Sequence, residues 1–191
     1  MSQNTGFFSN YLEQWRLQKI VDLIPKTNLR LLDIGCGRAS IISKISQIDY
    51  YTGIDLLQKT IEGNQAQYAN YEFICSNIFQ VDLKDNFYNV VILSAFVEHL
   101  AFQDNLELFQ KLYPAMEKKG VIIGTTPHQR AEKIHQIGAK LRLFSREAAN
   151  EHQCFFDQEM LDKLAQETGF AMIKYRTFQF GLNQVFVYEK V

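Results

Sequence analysis

One segment narrows the possible folds of this chain more than any other: Leu31-Leu32-Asp33-Ile34-Gly35-Cys36-Gly37-Arg38-Ala39. An apolar run leads into two glycines, and a helix is expected to follow. That order puts bare backbone at the carboxyl end of a buried strand, where open α/β sheets bind their ligands. Glycine suits the position because a Cβ would hold a ligand away. Twenty residues beyond Gly35 stands Asp55, at the tip of Tyr51-Thr52-Gly53-Ile54-Asp55. A carboxylate at the end of a second strand can accept hydrogen bonds from both hydroxyls of a ribose.

The rest of the chain extends this unit. Residues 31–34, 50–54, 71–75, 90–93 and 121–125 are short runs rich in β-branched or aromatic residues and read as strands. Helical stretches separate them. One is expected from an N-cap at Asp104, with Glu107 three residues on, carrying Leu106, Phe109, Leu112 and Tyr113 on one face and stopping near Pro114. Alternating strands and helices predict a parallel sheet covered on both faces. The end differs. A helix from about Asp157 to Glu167 closes at Gly169, and residues 170–178 and 184–188 flank a Gly181-Leu182-Asn183 turn, which predicts an antiparallel hairpin. Residues 128–153 are too long for a plain connection and carry five basic residues against three acidic ones. They are expected to form a helical insertion over the active face. Phe7, Phe8, Tyr11, Trp15 and Arg16 fit an amphipathic helix, and residues 1–25 are expected to form a lid.

At 191 residues the chain is expected to form one domain with a full core. A formal net charge of -1 gives no indication of a nucleic-acid partner. The longest apolar run, 90–97, is interrupted by Ser94 and falls far short of the roughly 18 residues of a membrane span. Cys36, Cys75 and Cys154 are odd in number and widely spaced, which fits neither a disulfide framework nor a metal cluster. With no signal-peptide pattern in the first residues, a reduced, cytoplasmic protein is expected.

The glycine segment also distinguishes ligands. A dinucleotide fold uses Gly-x-Gly-x-x-Gly because a pyrophosphate sits on the following helix N-terminus. Here the sixth position is Ser40. Asp33, two residues before Gly35, would repel a pyrophosphate but suits the ammonium group of a methionine moiety. These residues favour S-adenosylmethionine over NAD(P), which remains the second enzymatic reading. A non-catalytic S-adenosylmethionine-binding partner subunit is the third.

These residues resemble a known family. Leu31 to Gly37 is similar to motif I of class I S-adenosylmethionine-dependent methyltransferases, and Gly53-Ile54-Asp55 to their acidic second motif. Phe87-Tyr88-Asn89-Val90-Val91-Ile92 through Val97-Glu98-His99-Leu100 resembles the fourth-strand block. Met116-Glu117-Lys118-Lys119-Gly120 takes the place of the usual turn before strand five. The tail, with His152, Phe156, Gly169-Phe170 and Gly181-Leu182-Asn183-Gln184, is similar to small bacterial methyltransferases related to the ubiquinone-type O-methyltransferases. The resemblance runs from about Trp15 to Lys190. It implies a Rossmann-like α/β fold: a seven-stranded, mostly parallel sheet with an antiparallel last strand and helices on both faces. It implies that Gly35, Cys36 and Gly37 line the methionine moiety and ribose, with Asp33 near the amino group. It also implies that Asp55 binds the ribose, Leu56 packs on adenine, Asn77 and Ile78 flank it, and the Ser94 carbonyl meets the methionine ammonium. Asn77 and Asn89 depart from the commoner aspartates; the amide oxygen of Asn77 can still accept a hydrogen bond.

A sulfonium donor is already activated, so positioning in a dry pocket supplies much of the rate. A base is needed when a hydroxyl must lose its proton. No Asn/Asp-Pro-Pro-Tyr/Phe block follows strand four, which instead reads Ser94-Ala95-Phe96-Val97. A small-molecule acceptor, methylated at a hydroxyl oxygen, is therefore the expected partner. His99 is the first candidate base and His152 the second, with His128 a possible pocket residue and His135 on a solvated face. Each histidine also has a purely structural reading, and two isolated histidines make no metal site.

Overall fold

The apolar run 90–93 has no polar position because the strand it forms has no solvent face. In a computed structural model, which describes residues 7–26, 28–129 and 153–191, Val90, Val91, Ile92 and Leu93 are all at most 1% exposed. They belong to β4 (Tyr88–Ser94), which lies between β1 (Arg30–Ile34) and β5 (Met116–Pro127). Beyond β1 come β2 (Tyr50–Asp55) and the edge strand β3 (Glu72–Cys75). Beyond β5 come β7 (Asn183–Lys190) and β6 (Phe170–Phe178). The order is β3-β2-β1-β4-β5-β7-β6. The first five strands pair in parallel, while β7 pairs antiparallel with both β5 and β6. The expected seven-stranded sheet with its antiparallel last strand is present.

Two apolar layers cover the sheet. On one face, α3 (Phe102–Ala115) and α4 (Gln158–Glu167) contribute Leu108, Phe109, Leu112, Leu161 and Leu164. On the other, Leu17 and Ile20 of α1 (Phe7–Val21) and Ile61 of α2 (Gln58–Gln67) pack with Tyr51 and Phe178. Strand order reverses between β1 and β4, so their carboxyl ends diverge and leave the crevice in which this architecture holds ligands.

Several expectations need correction. No α-helix follows the glycines: between β1 and β2 there is one 3-10 turn, Ile42–Lys44. The intervening serines and isoleucines are weak helix formers, and Ile41 and Ile42 bury their side chains in the core instead. Asp104 is not the N-cap of α3. The helix starts at Phe102 after Ala101, and Asp104 lies in its first turn, where its charge still complements the helix dipole. The start moves forward because Phe102 packs towards Phe156. Pro114 sits inside the last turn. Strand five begins five residues early, and the register shift between Tyr88 and Val90 folds the Glu117–Gly120 turn into it as a large bulge, with Lys119 at φ +63°.

Other expectations match more closely. The Asp157 side chain accepts from the Met160 N–H at 2.9 Å, capping α4, and Gly169 follows it at φ +82°. Strand β6 ends at Phe178 as expected, while Asn183, expected in the turn, already belongs to β7. Apart from His128, Gln129 and Gln153, the 128–153 insertion lies outside the described residues, as do His135 and His152.

Candidate active site

The crevice at the carboxyl ends of β1, β2 and β4 is a cleft of about 700 Å³, a volume typical of small-molecule sites. Gly35, Asp55, Leu56, Asn77, Ile78, Phe96 and His99 line it. The structure thus brings together six of the residues named from sequence. Asp33, Cys36, Gly37 and Ser94 are not among the lining groups, and each is placed for a reason.

Gly35 and Gly37 turn at φ +70° and +50°, and the N–H groups of Gly35 and Cys36 both reach the Ile54 carbonyl, at 2.8 and 3.1 Å. The next N–H, that of Gly37, donates to Asp55 Oδ2 at 2.9 Å, while Asp55 Oδ1 accepts from the Leu57 N–H at 2.9 Å. The glycine loop therefore sets the orientation of the carboxylate. Each carboxylate oxygen keeps a second acceptor site, and Asp55 remains partly exposed at the cleft wall. A pair of ribose hydroxyls matches that donor requirement.

Behind the loop lies a buried polar layer. Asp33 is 4% exposed and accepts from Tyr51 Oη at 2.7 Å. Burial lifts its pKa to about 7 against the lowering effect of the Tyr51 hydroxyl, and the charge of Asp55 adds to the rise. Burial likewise pushes the Cys36 thiol far above its usual value, with Asp33 and Asp55 adding to the shift. Asn64 of α2 donates to the Gly37 carbonyl at 2.7 Å and fixes the loop from this side.

At the end of the cleft beyond β2, Leu56 and Leu57 are 70% and 64% exposed. Large apolar side chains at a cleft mouth offer a flat partner a surface that water covers poorly. Asn77 caps the 3-10 turn Ile78–Gln80, accepting from the Phe79 N–H at 3.1 Å, and Ile78 is buried beneath it. The Asn77 oxygen thus already holds one hydrogen bond within its own turn.

At the other end, Ser94 closes β4 and Ala95 follows at φ +52°. The Ala95 N–H is held by both the carbonyl and the hydroxyl of Thr125, at 2.9 and 3.2 Å. Val97–His99 forms a 3-10 turn that Asn105 anchors: its amide nitrogen donates to the Val97 carbonyl at 3.0 Å and to that of Leu100, just after the turn, at 3.2 Å. His99 is exposed at the cleft, while Glu98, 1% exposed, points into the protein. Burial raises the Glu98 pKa, opposed by His99, Thr126 and Arg16. Among the described residues no cluster of three or more His, Cys, Asp or Glu could hold a metal ion.

Asn64, Asn105 and Phe96 were not singled out in the sequence. Asn105 had a legible signal: it shares the helical stripe of Leu108, Phe109 and Leu112, and a polar residue in an apolar stripe must serve some hydrogen bond. Asn64 stands three residues after Ile61 in the same way.

The volume of the cleft and the free acceptor sites of Asp55 fit an adenosine-bearing ligand. The one-turn 3-10 helix after Gly37 offers no helix N-terminus for a pyrophosphate. Comparisons with known proteins agree. The profile of a family described as methyltransferase domain matches residues 9–175. No curated protein sequence matches the chain. Among solved structures, magnesium protoporphyrin IX methyltransferase from Synechocystis, solved with bound SAH, aligns with a TM-score of 0.76 at 14% identity, over 100% of this chain and 90% of that one. A SAM-dependent methyltransferase from Archaeoglobus fulgidus gives 0.71 at 18% identity, over 97% and 100%. An S-adenosylmethionine-dependent methyltransferase from Mesorhizobium loti gives 0.74 at 13%, over 93% and 97%. At such identities the likeness is one of fold.

Proposed function

Given that the chain belongs to the methyltransferase-domain family and has the class I fold of S-adenosylmethionine-dependent methyltransferases, we propose that it methylates a small molecule at a hydroxyl oxygen. The observation that supports the cofactor part of this reading is the Asp55 carboxylate, held by two backbone N–H groups with acceptor sites to spare on the wall of the cleft; His99 on the same wall supports a hydroxyl acceptor.

On this reading Asp55 takes the ribose hydroxyls, Leu56 packs on adenine, and Asn77 and Ile78 flank it. Gly35, Cys36 and Gly37 present backbone to the ribose and methionine moiety, and the Ser94 carbonyl meets the ammonium. Asp33 acts from behind the loop, where its ionised form favours a cationic ligand end. When bound, the cofactor supplies an activated methyl group. The protein then has to align the acceptor, exclude water and receive one proton.

His99, held at the cleft by the Asn105-anchored turn, receives the proton of the acceptor hydroxyl. His152 orients the acceptor from the 128–153 segment. Residues 1–25 serve as the lid, with Leu17 and Ile20 of α1 as its anchor in the core. Among the described residues no helix is long and apolar enough to cross a membrane.

Calorimetry with S-adenosylmethionine, its demethylated product, NAD and NADP tests the cofactor, and methyl transfer across a panel of hydroxylated small molecules tests the acceptor. Binding of NAD alone defeats the reading. Cofactor binding with no turnover on any acceptor favours a non-catalytic partner subunit.

A further inference from the structure

Phe96 occupies the point where strand order reverses. Ala95, a non-glycine residue in the left-handed region, is kept there by its two contacts to Thr125. Such a conformation costs free energy and persists only where neighbouring structure enforces it. Its effect is to lay the ring of Phe96, from the end of β4, onto Gly35 at the end of β1. A Cβ built on Gly35 would lie 2.7 Å from the Phe96 Cδ2 and 3.3 Å from Cε2. The ring, half-buried against the core, forms part of the cleft wall.

Asp55 stands on the opposite side of β1, at the end of β2. A ligand whose ribose is held by Asp55 and which runs past Gly35 towards β4 brings the group attached to its ribose against this ring. In the methyl donor that group is a sulfonium cation; in the demethylated product it is a neutral thioether. An aromatic ring attracts a cation through its quadrupole, whereas it offers a neutral thioether mainly dispersion. Among the described residues Asp55 is the only carboxylate lining the cleft, and its attraction for a cation is common to any Phe96 variant.

We infer, on the cofactor placement proposed above, that the Phe96 ring is the element by which this protein distinguishes the charged methyl donor from the neutral product. It favours retention of the donor and release of the product. This role is separate from ribose recognition, which would act on both ligands alike.

The test is calorimetric titration of the full chain with S-adenosylmethionine and S-adenosylhomocysteine, in the wild type and in Phe96→Leu, Phe96→Met and Phe96→Tyr. The leucine and methionine variants keep an apolar wall without a ring, and the tyrosine variant keeps the ring. In the non-aromatic variants the donor Kd should rise roughly three- to thirty-fold relative to the product Kd. Phe96→Tyr should keep the wild-type ratio, and unchanged product binding serves as the check on folding. An unchanged donor-to-product ratio, or an equal loss of both ligands, overturns the role of the ring while leaving the cofactor placement intact. A wild-type protein that binds neither ligand overturns the placement itself.

Discussion

Replacing Asp33 by asparagine should stabilise the protein at alkaline pH and not at acid pH. Asp33 sits in an apolar layer, 4% exposed, with one hydrogen bond from Tyr51. In the unfolded chain its carboxyl ionises near pH 4; in the fold burial holds it protonated up to about pH 7. Between those values the unfolded state binds fewer protons than the native state, so stability falls as pH rises and levels off above about 7. The gap corresponds to about 4 kcal/mol at most. Asparagine has nearly the same shape and can accept the Tyr51 hydroxyl, yet never ionises. Its stability relative to wild type should therefore increase by roughly 3–4 kcal/mol between pH 4.5 and pH 8.5. Glu98, also raised by burial, contributes equally to both proteins and cancels in the difference. Urea denaturation across this range reads the effect directly. If the two stability curves run parallel within about 1 kcal/mol, Asp33 is ionised in the fold and the account of its burial is wrong.

Three further outcomes follow from the cleft and the sheet. Asp55→Ala removes the acceptors of both backbone N–H groups and of the ribose, so the cofactor Kd should rise by the equivalent of about 1.5–3 kcal/mol in calorimetry; an unchanged Kd would place the ribose elsewhere. His99→Ala should lower kcat by roughly 10²–10⁴ with cofactor affinity intact, as seen in single-turnover rates once an acceptor is in hand; near-normal kcat from pH 6 to 9 would mean that proximity alone drives transfer. Gly124→Ala tests the sheet itself: its Cβ would lie 2.1 Å from Cζ of the fully buried Phe186, and denaturant melts should show a loss of about 3 kcal/mol or more.

Local periodicity and turn chemistry were enough for the alternating strands and helices and the closing hairpin, while the seven-stranded sheet was implied by the resemblance of the motifs to class I methyltransferases. The all-apolar run of β4, the glycines after β1, the Asp157 cap and Gly169 each carry their structural meaning within a few residues. Asp55 was legible for the same reason: its distance from Gly35 is set by one strand-to-strand crossover. What required tertiary structure were the places where burial overrides local preference. Ile41 and Ile42 gain more from the core than from completing a helix, so the expected helix after Gly37 shrinks to a single turn. Asp33 reads in sequence as a charge suited to a ligand ammonium, but the side-chain alternation of β1 turns it beneath the glycine loop towards Tyr51. Phe96 and Gly35 lie 61 positions apart in sequence, and only the pairing of β1 with β4 brings the ring onto the glycine. No local pattern encodes that contact, because it depends on which strands become neighbours, a choice made by the packing of both faces of the sheet together.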